Sequence, residues 1–136
     1  MIAVRRIDHV GVCVPNLDSA LQTFLRLFAL EESDRGLSDA HQVEAAFLPI
    51  GDSNIELVSP RGNAGLTRFL EKRGPGLHHL ALEVEGLAEV LTLLKALNVA
   101  LIDEIPRIGA RGHRVAFIHP SATGGVLLEL VERAGS

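Results

Sequence analysis

Apolar and polar residues alternate over residues 6–14, where Val and Ile are frequent. This pattern predicts a β-strand that ends at Pro15. Beyond it, apolar residues recur at spacings of three and four, which predicts an amphipathic helix capped by Asn16 or Asp18. The apolar face of this helix consists of Leu17, Leu21, Phe24, Leu25 and Phe28.

The next stretch, residues 31–39, is polar and prone to turns. Two further apolar runs follow it, at residues 43–49 and 53–58, and they are separated by Gly51 and Asp52. Gly and Asp between two such runs are typical of a tight hairpin turn. We therefore predict an antiparallel pair of strands in this part of the chain.

The second half of the chain repeats the order of the first. A connector over residues 59–76 contains a short predicted helix around Leu66, Phe69 and Leu70 and ends at Gly74-Pro75-Gly76. A strand is then predicted at residues 78–84, followed by a helix that ends near Asn98. Leu87, Val90, Leu91 and Leu94 form the inward face of that helix. The last three strands are predicted near residues 99–103, 113–119 and 125–132.

This repeat indicates an α+β fold made of two tandem βαβββ modules, at residues 5–60 and 76–133. A chain of 136 residues is long enough for one domain with a hydrophobic core, so we expect a single domain over residues 1–136. If the two modules curl toward each other, their inward strand residues line an open barrel-like cavity.

Each module has a histidine on its first strand and a glutamate on its last. These residues are His9 and Glu56 in the first module and His79 and Glu129 in the second. An unpaired buried carboxylate is costly, so glutamates inside apolar strand ends need partners. Two imidazoles and two carboxylates that meet at one point form a mixed nitrogen and oxygen site, which suits a divalent metal.

Composition and charge exclude several other classes of protein. The formal charge is −4 and the 13 basic residues are scattered, which argues against a nucleic-acid-binding surface. No apolar run reaches the roughly 20 residues that cross a bilayer, and the amino terminus lacks a signal-peptide core. We expect a cytoplasmic protein without a membrane partner, in which the single Cys13 is a buried core residue.

Several segments resemble the vicinal-oxygen-chelate superfamily, which contains glyoxalase I, extradiol dioxygenases and methylmalonyl-CoA epimerases. Among these, the chain is most similar to the epimerases, and the resemblance spans nearly its whole length. The matching segments are Ile7-Asp8-His9-Val10-Gly11-Val12, Gly74-Pro75-Gly76-Leu77-His78-His79-Leu80-Ala81, residues 101–110, residues 112–120 and residues 123–130.

The resemblance implies a set of site residues. It aligns His9, Glu56, His79 and Glu129 with the metal ligands of the epimerases, and it aligns Glu44 with one of two proposed catalytic bases. Glu129 would be the second base as well as a ligand. The implied cofactor is a divalent metal, with Co²⁺ favoured and Mn²⁺, Ni²⁺, Zn²⁺ or Mg²⁺ also able to fit. The implied assembly is a homodimer.

The implied reaction is the interconversion of the R and S forms of methylmalonyl-CoA at C2, through an enolate and with two glutamate bases. Many epimerases have a lysine directly after the His-Pro pair, whereas this chain has Ser121. If that lysine contacts the CoA group in those proteins, this chain lacks the contact. The alternatives are a glyoxalase I-type lactoylglutathione lyase, an extradiol dioxygenase and a drug-binding module without a metal. The absence of tyrosine and the fourth ligand candidate disfavour the dioxygenase.

Overall fold

The computed structural model describes residues 1–135, and its elements follow the predicted order. The strands are β1 (Arg6–Cys13), β2 (Ser33–Ser38), β3 (Val43–Ile50), β4 (Ser53–Pro60), β5 (Gly76–Glu83), β6 (Arg107–Ile108), β7 (Arg114–Ile118) and β8 (Leu128–Glu132). The helices are α1 (Leu17–Leu27), α2 (Ala64–Arg73) and α3 (Leu87–Ala96), with a 3-10 turn at Pro120–Ala122 before β8. The α+β class and the two βαβββ repeats are confirmed. Within residues 1–135, no helix has the length and apolarity that spanning a membrane requires.

The chain divides into two compact units. One runs from Val10 to His78, and the other combines Met1–His9 with the chain from His79 onwards. The unit from Val10 to His78 has the strand order β2-β3-β4-β1, and the other unit has the order β1-β5-β8-β7-β6. Strand β1 occurs in both orders because its residues up to His9 belong to one unit and its residues from Val10 onwards to the other.

In the unit from Val10 to His78, β3 and β4 form the predicted hairpin. Ile50 pairs with Ser53, so the turn has only two residues, and Gly51 adopts a left-handed backbone with φ of 57°. That conformation strains residues with a Cβ atom but not glycine. Helix α1 begins where predicted, because the Asn16 side chain accepts a 2.9 Å hydrogen bond from the backbone N–H of Ser19.

The βαβββ repeat requires a strand between α1 and β3, but the position of β2 was not predicted, because its residues lie in the polar segment that is prone to turns. Most of them are exposed, so no apolar alternation marks the strand in the sequence. It is an edge strand that pairs only with β3, and its register shifts between Ser33 and Gly36. Backbone pairing with an existing neighbour is therefore what makes this segment a strand.

In the other unit, helix α3 packs on β7 and β8, and its predicted inward residues are all buried. The strand predicted near residues 99–103 is wrong: only a single bridge joins Leu101 to Ile118. The carboxylate of Asp103 accepts the backbone N–H of Phe117 at 2.8 Å, so a side chain takes a donor that a strand ladder would use. Pairing resumes at β6, where Arg107 and Ile108 meet β7.

The core beneath α3 gives a direct stability prediction. Leu91 is 1% exposed and packs among other buried apolar residues, whereas Leu93 on the same helix is 39% exposed. We expect Leu91→Ala to lower the free energy of unfolding by about 2–5 kcal/mol, because it removes buried methyl groups and leaves a cavity. Leu93→Ala is the control and should cost less than about 1 kcal/mol. Urea denaturation of both variants measures the difference, and equal losses would contradict this account of the core.

Cys13 is fully buried and unpaired with any other cysteine, as its single occurrence predicts. Burial raises the pKa of its thiol to about 11, because the thiolate would lose its hydration. The group is therefore neutral at physiological pH and acts as a small apolar core residue.

Candidate metal centre

Three of the predicted ligands meet within the unit that contains β5 and β8. His9 lies on β1, His79 on β5 and Glu129 on β8, and all three are buried. The Nε2 atoms of the two histidines are 3.0 Å apart. Glu129 Oε1 lies 2.9 Å from His9 Nε2 and 3.5 Å from His79 Nε2. Three potential ligand atoms therefore converge on one point.

The spacing of these atoms fits a divalent metal ion. Ligands at about 2.1 Å from one ion and at right angles to each other are about 3.0 Å apart, close to the distances found here. Among the described residues, Glu129 Oε1 has no hydrogen-bond partner of acceptable geometry, although it is buried. A buried oxygen left without a hydrogen bond is costly, and a cation would satisfy it. Two imidazoles and a carboxylate suit Co²⁺, Ni²⁺, Zn²⁺ or Mn²⁺.

Asp8 fixes the orientation of the His9 ring. Its Oδ2 atom lies 2.7 Å from His9 Nδ1, and its side chain is completely buried. A carboxylate accepts a hydrogen bond, so Nδ1 carries the proton and the Nε2 lone pair faces His79 and Glu129. Burial alone would raise the pKa of Asp8, but the hydrogen bond from His9 and the charge of Arg111 outweigh it and hold this pKa well below its ordinary value.

His79 is bordered by an aromatic ring. Phe117 on β7 lies edge-to-face with His79, with ring centroids 5.7 Å apart, and in the strand register it is opposite Glu129. The guanidinium of Arg107 lies 5.4 Å from the centroid of the same ring. Phe117 thus restricts the rotation of the His79 imidazole from an apolar side.

The other two predicted site residues belong to the unit from Val10 to His78. Glu56 is buried on β4, opposite Phe47 of β3. Its role as a fourth ligand stays a prediction. Glu44 lies on β3, opposite Ser59, with its side chain 16% exposed.

Two arginines flank Glu44. Arg61 Nη2 is 3.3 Å from Glu44 Oε1, and Arg35 Nη2 is 3.5 Å from Glu44 Oε2. Arg35 is itself anchored at 2.5 Å by Asp18 in the first turn of α1. Each oxygen of the carboxylate therefore has a guanidinium nearby, whereas a glutamate next to a loop is usually surrounded by solvent alone.

Several other histidines make local contacts instead. The ring of His78 lies 5.0 Å from that of Phe69 on α2. His113 accepts a hydrogen bond from the backbone N–H of Ala134, and His119 accepts one from Ser121 at the start of the 3-10 turn. These three histidines do not belong to the cluster formed by His9, His79 and Glu129.

The sequence did not identify Asp8, which contacts His9 Nδ1, or the two arginines that contact Asp8. Asp8 carries a signal that could have been used, since a carboxylate in an apolar strand next to a candidate ligand needs a buried partner. Arg111 and Arg133 carry no such signal, because they lie 103 and 125 residues further along the chain and reach Asp8 only in the folded protein.

Comparisons with known proteins place this chain in a family. Residues 8–117 match the model of the glyoxalase/bleomycin resistance protein/dioxygenase superfamily. The mitochondrial methylmalonyl-CoA epimerase of Dictyostelium discoideum is 34% identical over 97% of this chain and 81% of its own length. The ethylmalonyl-CoA/methylmalonyl-CoA epimerase of Cereibacter sphaeroides is 32% identical over 93% of this chain and 97% of its own.

A solved structure is similar over the same range. A variant of the Streptomyces coelicolor methylmalonyl-CoA epimerase, in complex with 2-nitronate-propionyl-CoA, superimposes with a TM-score of 0.93 at 28% identity. The match covers 98% of this chain and 97% of that protein. The fold described above is therefore shared along almost the whole length of both chains.

Proposed function

This chain belongs to the glyoxalase/bleomycin resistance protein/dioxygenase superfamily and, within it, to the methylmalonyl-CoA epimerases, and on that premise we propose that it interconverts the C2 epimers of methylmalonyl-CoA in a metal-dependent reaction. The protein is an epimerase, and thus an isomerase. The observation that best supports metal dependence is the convergence of His9, His79 and Glu129 around a buried carboxylate oxygen without a hydrogen bond.

The chemistry of the substrate explains why such residues are needed. The C2 proton lies between a thioester and a carboxylate, and its removal leaves an enolate. A divalent metal held by His9, His79 and Glu129 would supply a Lewis acid that stabilises the negative charge of this enolate. The three clustered ligands are buried, and electrostatic interactions are stronger in such surroundings than in bulk water.

Glu44 and Glu129 would perform the proton transfers. One carboxylate takes the proton from C2, and the C–H electron pair moves toward the thioester oxygen. The other glutamate, in its protonated form, delivers a proton to the opposite face of C2, so that the configuration inverts and no net proton is consumed. The flanking Arg35 and Arg61 would hold Glu44 in a fixed direction for this step.

Proton NMR of a single methylmalonyl-CoA epimer in D₂O tests the proposal. With Co²⁺-loaded protein, we expect the C2 proton signal to disappear and the other epimer to form, and chelation of the metal should stop both. No exchange in protein that demonstrably contains metal would contradict the proposed reaction. Turnover of methylglyoxal with glutathione would instead favour the lactoylglutathione lyase, and tight drug binding without metal would favour the binding module.

The proposal also specifies which acyl-CoA the protein prefers. One relative is named for both ethylmalonyl-CoA and methylmalonyl-CoA, so the same NMR assay should be run with both thioesters. We propose methylmalonyl-CoA as the preferred substrate, and a higher kcat/KM for ethylmalonyl-CoA would reverse this order.

The expectations of a homodimer and of a cytoplasmic location also stay predictions. Light scattering of the purified protein tests whether it is a homodimer.

A further inference from the structure

Two arginines from distant parts of the chain contact the buried carboxylate of Asp8, which in turn contacts Nδ1 of His9. Arg111 Nη2 donates a hydrogen bond to Asp8 Oδ2, the same oxygen that accepts from His9. Arg133 Nε donates to the other oxygen, Oδ1, at 3.0 Å. Asp8 is completely buried, and the side chains of Arg111 and Arg133 are 13% and 28% exposed. Both carboxylate oxygens are thus directed by fixed donors.

Each arginine is in turn positioned by its own surroundings. Arg111 lies in the turn between β6 and β7, which is closed by a 2.8 Å hydrogen bond from Gly109 N–H to the carbonyl of His113. A Cβ atom at Gly109 would come within 2.9 Å of Val115, so this turn packs tightly against β7. The backbone that carries Arg111 is therefore constrained on one side by β7.

Arg133, just after β8, is shared between two buried acids. Its Nε atom is 2.9 Å from Glu83 Oε1 as well as 3.0 Å from Asp8 Oδ1, and Arg6 Nε approaches the same Glu83 oxygen at 3.0 Å. Among the described residues, Glu83 Oε1 has no hydrogen bond of acceptable geometry, so its contacts with Arg133 and Arg6 are ion pairs and not hydrogen bonds. Asp8 is therefore directed by the hydrogen bonds from Arg111 and Arg133, and through Asp8 so is the imidazole of His9.

We propose that Arg111 and Arg133 are positioning residues for the metal centre. Through Asp8 they hold the His9 ring with Nε2 directed at His79 Nε2 and Glu129 Oε1, so that the ligands are arranged before a metal binds. The proposal rests on the proposed function, because it assumes that His9 is a ligand. It also implies that the turn between β6 and β7 and the metal site are coupled in both directions.

The test compares Arg111→Met with Arg114→Met. Arg114 is close in sequence, but its side chain is 60% exposed and its ion pair with Glu132, at 3.6 Å, is on the surface. We expect Arg111→Met to weaken Co²⁺ binding by about 10–100-fold and to change the visible absorption spectrum of bound Co²⁺. Arg114→Met should keep the wild-type spectrum and an affinity within about threefold. Arg111→Lys should recover part of the affinity, because it restores the charge but not the fork of donors.

A second measurement does not depend on metal. In the metal-free protein, ¹⁵N NMR of the imidazole rings should show His9 as the Nδ1–H tautomer in the wild type, with this signal shifted or broadened in Arg111→Met. If the wild type binds no Co²⁺, the proposed metal site fails, and the ring signals still decide whether Arg111 positions His9. Should Arg111→Met not fold, Arg133→Gln makes the same prediction through the other oxygen of Asp8. Unchanged Co²⁺ affinity and an unchanged His9 signal in a folded variant would overturn the proposal.

Discussion

Replacing Glu44 by alanine should strongly reduce the rate of epimer interconversion while the metal content stays at the wild-type level. A general base contributes about 10²–10⁴-fold to the rate of a proton transfer, and we expect a loss in this range. Glu44 lies in the unit from Val10 to His78, outside the cluster formed by His9, His79 and Glu129, so its removal leaves those ligands intact. Metal analysis of the purified variant and the NMR assay in D₂O measure both quantities.

The proton exchange of each epimer makes this test sharper. With Glu44 absent, Glu129 can still remove and return a proton on its own face of C2. One epimer should therefore continue to exchange slowly with D₂O without inverting, whereas the other should not exchange. Equal residual exchange of both epimers would argue against two bases on opposite faces.

Two control variants separate chemistry from structure. Glu44→Gln keeps the size of the side chain and removes the base, so it should be as inactive as Glu44→Ala. Glu71→Ala removes an exposed carboxylate from α2 in the same unit and should retain wild-type activity. If Glu44→Gln keeps full activity, Glu44 is not a base and serves only as the partner of Arg35 and Arg61.

The second large effect is expected for His79→Ala, which should lose metal and activity together. Removal of one of the three clustered ligands leaves Glu129 Oε1 with a single histidine nearby, and we expect Co²⁺ affinity to fall by at least about 100-fold. Isothermal titration with Co²⁺ measures the affinity, and the NMR assay at saturating metal measures the activity.

The neighbouring histidine is a matched control. His78 lies next in sequence and contacts the Phe69 ring of α2. His78→Ala should therefore bind Co²⁺ with wild-type affinity and should epimerise at the wild-type rate. Full metal occupancy in His79→Ala, or loss of metal in His78→Ala, would show that the ligand assignment is wrong.

Local patterns accounted for the regular elements because local interactions form them. The hairpin of β3 and β4 needs only two apolar runs and a glycine in the left-handed conformation at position 51. Helix α3 follows from four apolar residues at helical spacing. The strand predicted near residues 99–103 does not form, because the side chain of Asp103 competes with backbone pairing. The hydrophobic pattern of the sequence does not reveal this competition.

Some residues of the candidate site could be identified from the sequence and others could not. His9, His79 and Glu129 could be selected from the sequence, because the repeat places equivalent residue types on equivalent strands and because polar groups in apolar strands need partners. The role of Glu44 rested on resemblance alone. Its two flanking arginines could not be selected, since an arginine in a loop or after a strand is usually solvated.

The sequence by itself determined the α+β class, the internal repeat and the residue types that suit a divalent metal, because periodicity and repetition are properties of the chain. Only the tertiary structure decided how these ligands are oriented. The proton position on His9 depends on Asp8, and the direction of Asp8 depends on Arg111 and Arg133, which approach it from far along the chain. Orientation of this kind arises from contacts between distant segments, and such contacts exist only once the chain has folded.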